Sequence, residues 1–207
     1  MIRLRSETAK RAAGRAVFAA REAALVAMFA AVTSVLAYVR IPLPFGPVPV
    51  TGQTFGLMLA GLLLGPRLAA FSQVIYLLMG LAGLPVFAGG TAGLGVLVGP
   101  TGGYLWAHVP GAYIVGLIAG GRSELSAARA ATAAAAGGIA AVYGLGVWQL
   151  AAVTGMDWSA ALAAGALPFL PGDALKAAAA AAVGRRVAAA LGRNRLHGQA
   201  PLPGGPR

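Results

Sequence analysis

The sequence predicts an all-α integral membrane protein, a bundle of six spanning helices built around a pocket. Three observations carry that prediction. Hydrophobic residues make up 58% of the 207 positions, charged residues only 10%, and the mean hydropathy is +0.78. Soluble domains carry roughly 25% charged residues, so this chain lacks the polar side chains to cover a water-facing surface. The charges it has are clustered, which leaves long uncharged windows. One of those windows is interrupted by glycine and proline in a way no single helix tolerates.

The windows set the elements in order. Glu22 to Arg40 encloses 17 uncharged residues, Arg40 to Arg67 encloses 26, and Arg129 to Asp157 encloses 27. A spanning helix needs about 20 residues, or ~17 at the short end. Spans are therefore expected near 22–39, 50–65, 67–83, 102–121, 130–153 and 166–190. Residues 1–21 form a basic N-terminal tail or helix at the inner surface, 22–191 the membrane domain, and 192–207 a Gly/Pro-rich disordered tail. The N-terminal region resembles a signal peptide only superficially, because the apolar run ends at Ala37-Tyr38-Val39-Arg40 without a small-x-small cleavage site.

Orientation follows from the 16 basic residues. With both termini cytoplasmic, 14 of them fall inside, Arg40 falls outside and Lys176 lies within the membrane, as the positive-inside rule requires. The same distribution accounts for the formal charge of +11 by topology and anionic headgroups. Nucleic acid is not an expected partner, because the basic residues are not interleaved with aromatics into a stacking platform.

The segment Gly83–Tyr104, GLPVFAGGTAGLGVLVGPTGGY, holds eight glycines in 22 residues and no charge. Gly89-Gly90, Gly99-Pro100 and Gly102-Gly103 exclude one continuous helix. Irregular backbone at membrane depth must be buried in protein or line a cavity, so the segment is expected to line a pocket.

Asp173 and Lys176 are the second indication of a site. Counting back from Arg185 at about 1.5 Å per residue puts them ~18 Å and ~14 Å into the membrane. Ionisable groups at that depth face an interior or a water-filled cavity, and the i, i+3 spacing lets the two pair. Pro171 and Gly172 break or start a helix beside them. A buried pair that only fixes helix packing is the plainer alternative.

A third cluster, IPLPFGPVPVTGQTFG (41–56), reads as an extended loop folded onto the outer face. It leaves Thr51, Gln53 and Thr54 at the mouth of the second span. Gln53 needs several hydrogen-bond partners in so apolar a segment, whereas Thr51 and Thr54 serve equally well as helix caps. His108 reads as packing. Trp106, Trp158, Tyr38 and Phe45 read as interfacial anchors, with Trp106 also near enough to the glycine segment to wall a pocket. Tyr76 and Trp148 sit inside spans, to pack on a flat ring or in the core. Ala23, Ala27 and Ala31 make a small-xxx-small face on the first span, and Gly61/Gly65 and Gly116/Gly120 repeat the spacing.

Cysteine is absent, so disulfides and Cys-based metal sites are excluded. Neither of the two lysines, Lys10 and Lys176, completes a GxxxxGK[ST] loop, and G-x-S-x-G and H-E-x-x-H do not occur. No enzyme activity, cofactor or metal is expected. If ATP drives uptake, another subunit hydrolyses it.

The glycine segment, PVPVTGQTFGLMLAGLLLGP (47–66) and PGDALK (171–176) occur in the order seen in BioY proteins, and the chain resembles that family over roughly residues 23–190. BioY proteins are the biotin-binding S components of energy-coupling factor (ECF) transporters. The resemblance implies a six-transmembrane-helix S-component bundle with cytoplasmic termini in the plasma membrane. It also implies a biotin pocket near the outer face and coupling to a transmembrane T component and two cytoplasmic ATPases. Asp173 would accept from the ureido N–H groups, and Lys176 would donate to the ureido oxygen or the carboxylate. Gln53 and the backbone around Gly89, Gly90 and Thr91 would supply further polar contacts, with Tyr104 and Trp148 as apolar walls. The Ala23, Ala27, Ala31 face matches the position through which S components dock on the T component. An S component for thiamine or riboflavin, a proton-driven secondary transporter and an intramembrane enzyme using Asp173 and Lys176 are the competing readings.

Overall fold

A computed structural model describes residues 2–42, 48–120 and 125–197, with side chains described over 19–42, 48–120 and 125–190. Phe45, the middle of the proline cluster, Arg122 and residues 198–207 lie outside the described residues. The chain runs α1 (Ile2–Ala37), β1 (Arg40–Ile41), β2 (Val50–Thr51), α2 (Gln53–Leu64), α3 (Pro66–Leu81), α4 (Leu94–Val98) and α5 (Gly102–Trp106). It continues with α6 (His108–Ala119), α7 (Ala127–Ala133), a π-helical stretch (Ala134–Ala141), α8 (Val142–Thr154), α9 (Trp158–Gly165) and α10 (Leu170–His197).

Two helices among the described residues are long and apolar enough to cross a membrane alone, Ala19–Ala37 and Ala127–Thr154. Trp158–Gly165 with Leu170–Ala190 makes a third if the pair, bent by 52°, is one span. Helices α2 and α3 have 12 and 16 residues, short for a hydrocarbon core of about 30 Å. The expected spans near 50–65 and 102–121 begin differently from the charge pattern: residues 50–51 are strand, and the later span is divided into α5 and α6 at Ala107. Residues 192–197, expected in the tail, continue α10 as helix. No proline occurs between Pro171 and Pro201, so nothing ends the helix earlier.

Helix α6 is the hub, packed against α2, α3, α7 and the π-helical stretch, while α1 lies on α2 and α3. Small residues make this closeness possible. A Cβ on Gly111 of α6 would sit 2.6 Å from the Gly137 carbonyl oxygen, and one on Gly137 would sit 2.3 Å from that of Gly111, so two backbones touch directly. Gly61 serves the α2–α6 contact and Gly116 the approach of α6 to the α2–α3 junction: a Cβ there would meet Val115 Cβ at 2.4 Å and Pro66 N at 2.4 Å, respectively. Such contact is how helices associate where lipid is as apolar as the interface. Around it, Leu57, Met58, Ala112, Val115, Ala134 and Ala180 form the buried core. Phe71, Leu117, Trp148, Leu167 and Leu175 point outward, each more than half exposed, as lipid-facing side chains do.

Alongside the core, the glycine segment folds back instead of continuing a helix. Phe87 is fully buried, its ring against Gly80, where a Cβ would lie 2.0 Å from Phe87 Cζ, and edge-on to Tyr76 at 5.6 Å. The Tyr38 hydroxyl donates to the Pro85 carbonyl at 2.5 Å, and Gly93 N–H donates to the Gly80 carbonyl at 2.8 Å. Gln149 of α8 donates to the carbonyls of Leu97 and Gly99 at 2.9 and 2.8 Å. The segment is thereby pinned to α1 and α3 at one end and to α8 at the other.

Candidate functional site

The pinned segment closes one side of a cavity of about 270 Å³. Its other walls come from the β1–β2 hairpin, the start of α2, α5 and α6, the start of α8, and the Phe169–Lys176 stretch that opens α10. The hairpin pairs Arg40 with Thr51 and Ile41 with Val50, antiparallel. It brings Thr51, Gln53 and Thr54 over the first turn of α10. Asp173 occupies that first turn, where a carboxylate also faces the positive end of the helix dipole.

The polar groups converge on Asp173, which is 4% exposed. Lys176 Nζ donates to its Oδ1 at 2.6 Å, and Thr54 Oγ1 donates to the same oxygen at 3.1 Å. The Tyr143 hydroxyl donates to Oδ2. Lys176 also donates to the Thr51 carbonyl at 2.6 Å and contacts Thr54 Oγ1 at 3.3 Å. Its three N–H bonds are all directed, the weakest toward Thr54. A carboxylate offers about four acceptor sites, so Asp173 keeps room for one further donor. Among the described residues no buried side-chain nitrogen or oxygen lacks a partner. The site is preorganised, and a ligand must match what it displaces.

Gln53 is 5% exposed and lines the cavity. It accepts from Thr51 Oγ1 at 2.8 Å and donates to the Tyr76 hydroxyl, which orients its amide. Tyr76 is fully buried and stacks on His108 at 5.9 Å, as a support behind the wall. His108 itself lines the cavity and contacts Gln73 Oε1 through Nδ1 at 3.2 Å. Tyr104 lies in the wall with its hydroxyl on the Gly165 carbonyl at 2.8 Å, its ring edge-on to Tyr143 at 6.4 Å. Its ring fits because Gly146 has no side chain: a Cβ there would lie 2.3 Å from Tyr104 Cδ1.

Three expected site residues are placed elsewhere. Trp148 is 61% exposed and does not line the cavity. It is five residues beyond Tyr143 on α8, about 140° around the helix at 3.6 residues per turn, so the two cannot share a face. Gly89 and Gly90 also stand behind the lining, which Ala88 and Thr91 supply. Their φ values of 71° and 77° make the turn that presents those neighbours, a conformation that glycine adopts without strain. Tyr143, Arg40 and Phe169 are among the lining residues that the sequence did not single out as site candidates, and His108, expected only to pack, lines the cavity too. A hydroxyl inside an uncharged window was the available signal for Tyr143, and a single outside cation beside the proline cluster for Arg40. Ala23, Ala27 and Ala31 are exposed on α1, while Ala30, Thr33, Ser34 and Ala37 on its other side are buried.

Among the described residues no group of His, Asp and Glu could hold a metal ion. A model of the BioY family matches residues 7–193. The biotin transporter BioY of Rhizobium etli is 40% identical over 174 residues, covering 81% of this chain and 92% of that protein. A probable biotin transporter BioY of Pyrococcus horikoshii is 40% identical over 168 residues, covering 81% and 96%. A crystal structure of the S component for biotin from an ECF-type ABC transporter matches with a TM-score of 0.75 and 28% identity, over 81% of this chain and 90% of that one. Similarity of this extent, in sequence and in fold together, makes the chain a member of the BioY family.

Proposed function

We propose that the chain is the biotin-binding S component of an ECF-type uptake transporter, a carrier subunit and not an enzyme. The observation that carries this reading is the cavity itself, with an acceptor–donor pair, Asp173 and Lys176, held on its wall by Thr51, Thr54 and Tyr143. Biotin carries two ureido N–H donors and a ureido carbonyl, the complement of a carboxylate beside an ammonium. Asp173 has an acceptor site to spare for a ureido N–H, and Lys176 can exchange its 3.3 Å contact with Thr54 for the ureido oxygen. Gln53 and Thr91 extend the polar edge. Tyr104 and Phe169 offer apolar faces to the bicyclic ring and its chain.

Where ATP drives uptake, another subunit hydrolyses it, since the sequence has no ATP-binding loop. The exposed Ala23, Ala27, Ala31 face fits a T component, which in turn engages two cytoplasmic ATPases. In this reading α2, α3 and the α5–α6 pair complete six spans as short or tilted helices, and the protein is a multi-pass component of the plasma membrane with cytoplasmic termini. The cysteine-free sequence lends itself to single-cysteine labelling from either side of that membrane.

Isothermal titration of the purified, biotin-free protein with biotin, thiamine and riboflavin tests the assignment. Saturable, one-to-one binding of biotin alone is expected. A folded sample that ignores biotin, or prefers either other vitamin, would overturn it.

A further inference from the structure

His108 is the one imidazole in the cavity wall. The residue is 2% exposed, and its ring stacks on Tyr76 with centroids 5.9 Å and planes 21° apart, which fixes its plane. Behind it sits a fully buried polar cluster, Gln73 and Ser72 from α3 and Thr33 from α1. The hydrogens of that cluster can be counted. Ser72 and Thr33 have one hydroxyl hydrogen each. Each hydroxyl is nearest a carbonyl of its own helix, Ser72 Oγ to Ala69 at 2.7 Å and Thr33 Oγ1 to Phe29 at 2.9 Å. Toward Gln73, at 3.1 and 3.3 Å, both oxygens therefore accept, which uses both hydrogens of the Gln73 amide nitrogen. The amide oxygen is left to face His108 Nδ1 at 3.2 Å. That oxygen needs a donor, so Nδ1 carries the ring proton and Nε2 is a bare acceptor. Nε2 has no partner among the described residues, yet no buried side-chain nitrogen or oxygen among them lacks one. It is therefore an accessible atom of the ring, and the opening that the ring lines is the cavity.

We infer that His108 Nε2 accepts a hydrogen bond from an N–H of the ligand, and that Gln73 is the positioning residue that holds the imidazole in the tautomer able to do so. The inference rests on the biotin reading and adds a second acceptor to it. Biotin has two ureido N–H donors, whereas Asp173 has one acceptor site to spare. A ligand that placed an oxygen acceptor against Nε2 would leave both groups desolvated and unpaired, so the wall selects for a donor at that point. Gln53 Oε1 is the competing acceptor. It already accepts from Thr51 Oγ1 at 2.8 Å, while Nε2 has no contact to give up.

Nitrogen NMR of the purified protein, with isotope-labelled histidine, reads both the tautomer and the contact. The sequence has one other histidine, His197, so His197→Gln leaves a single imidazole to assign. At neutral pH without biotin, Nδ1 should resonate as a protonated, pyrrole-type nitrogen and Nε2 as a bare, pyridine-type one. Saturating biotin should move Nε2 upfield, the response of a bare nitrogen that gains a hydrogen bond, and leave Nδ1 nearly in place. Gln73→Met should show a mixture of the two tautomers and bind biotin about fivefold more weakly, the scale of one hydrogen bond. A bare Nδ1, a ring protonated on both nitrogens, or an Nε2 that ignores bound biotin overturns the role of His108. A single, unchanged tautomer in Gln73→Met overturns that of Gln73. Either result leaves the biotin reading standing, because calorimetric titration of the same sample measures binding itself. A folded sample that fails to bind biotin in that titration would remove both.

Discussion

The wall around Asp173 and the outer face of α1 are opposites in construction. At Asp173 nearly every polar atom is buried and committed: Lys176, Thr54 and Tyr143 converge on one carboxylate. At Ala23, Ala27 and Ala31 the surface is bare, small and exposed, with no side chain longer than a methyl group at those positions. A committed polar cluster beside a cavity recognises a small molecule, because each contact has one geometry and a wrong ligand leaves charges unpaired. A strip of methyl groups recognises only another close-fitting helix, by shape. In the proposed function one chain separates ligand recognition from partner recognition, and the two should be breakable independently.

The largest expected effect is at the ligand side. Asp173→Ala removes the acceptor and strands Lys176, and titration should show biotin affinity reduced by about 100-fold or more, given roughly 1.5–3 kcal/mol for each charged hydrogen bond lost. Next is the partner side. Ala27→Trp should leave biotin affinity within about twofold, since the position is exposed and remote from the packed side of α1, yet abolish ATP-driven uptake in cells carrying the whole transporter. If Ala27→Trp destroys binding too, the two surfaces are not separate. Tyr143→Phe sharpens the ligand side: it keeps the ring and deletes one donor to Asp173, so affinity should fall about fivefold to tenfold. The smallest effect belongs to Trp148→Ala, where titration should show less than about a twofold change, as for a surface position away from the site. A large loss there would put the tryptophan back in the wall.

Much of this contrast was legible in the sequence, for reasons that differ by residue. Asp173 and Lys176 stood out because charge deep in an apolar window is costly and must be used. The glycine segment stood out because its Gly-Gly and Gly-Pro steps forbid a helix. The alanine face was visible as spacing, although its exposure was not. Tyr143 went unseen because an aromatic residue in a span looks like packing until its hydroxyl is placed. Trp148, five residues on in the same span, was as plausible an apolar wall, and only helix phase separates the two. That phase was hidden by the π-helical stretch at Ala134–Ala141, whose wider turn rotates α8 relative to α7 and leaves no trace in AAAGGIAA. The short helices α4 and α9 were equally hidden, since five and eight residues are too few to show a period. Asp157 caps α9, accepting from Ser159 Oγ at 2.6 Å and from Ala160 N–H at 2.8 Å, which hold its carboxyl below the usual range. In the sequence Asp157 shows only as the end of an uncharged window.

The measurement that bears most directly on the account is an experimental structure of the protein crystallised with biotin. The account predicts the ureido ring in the cavity within hydrogen-bond reach of Asp173 and Lys176, beside Tyr104 and Tyr143, with Trp148 untouched. Biotin bound on any other surface, with the Asp173–Lys176 cavity left empty, would contradict it.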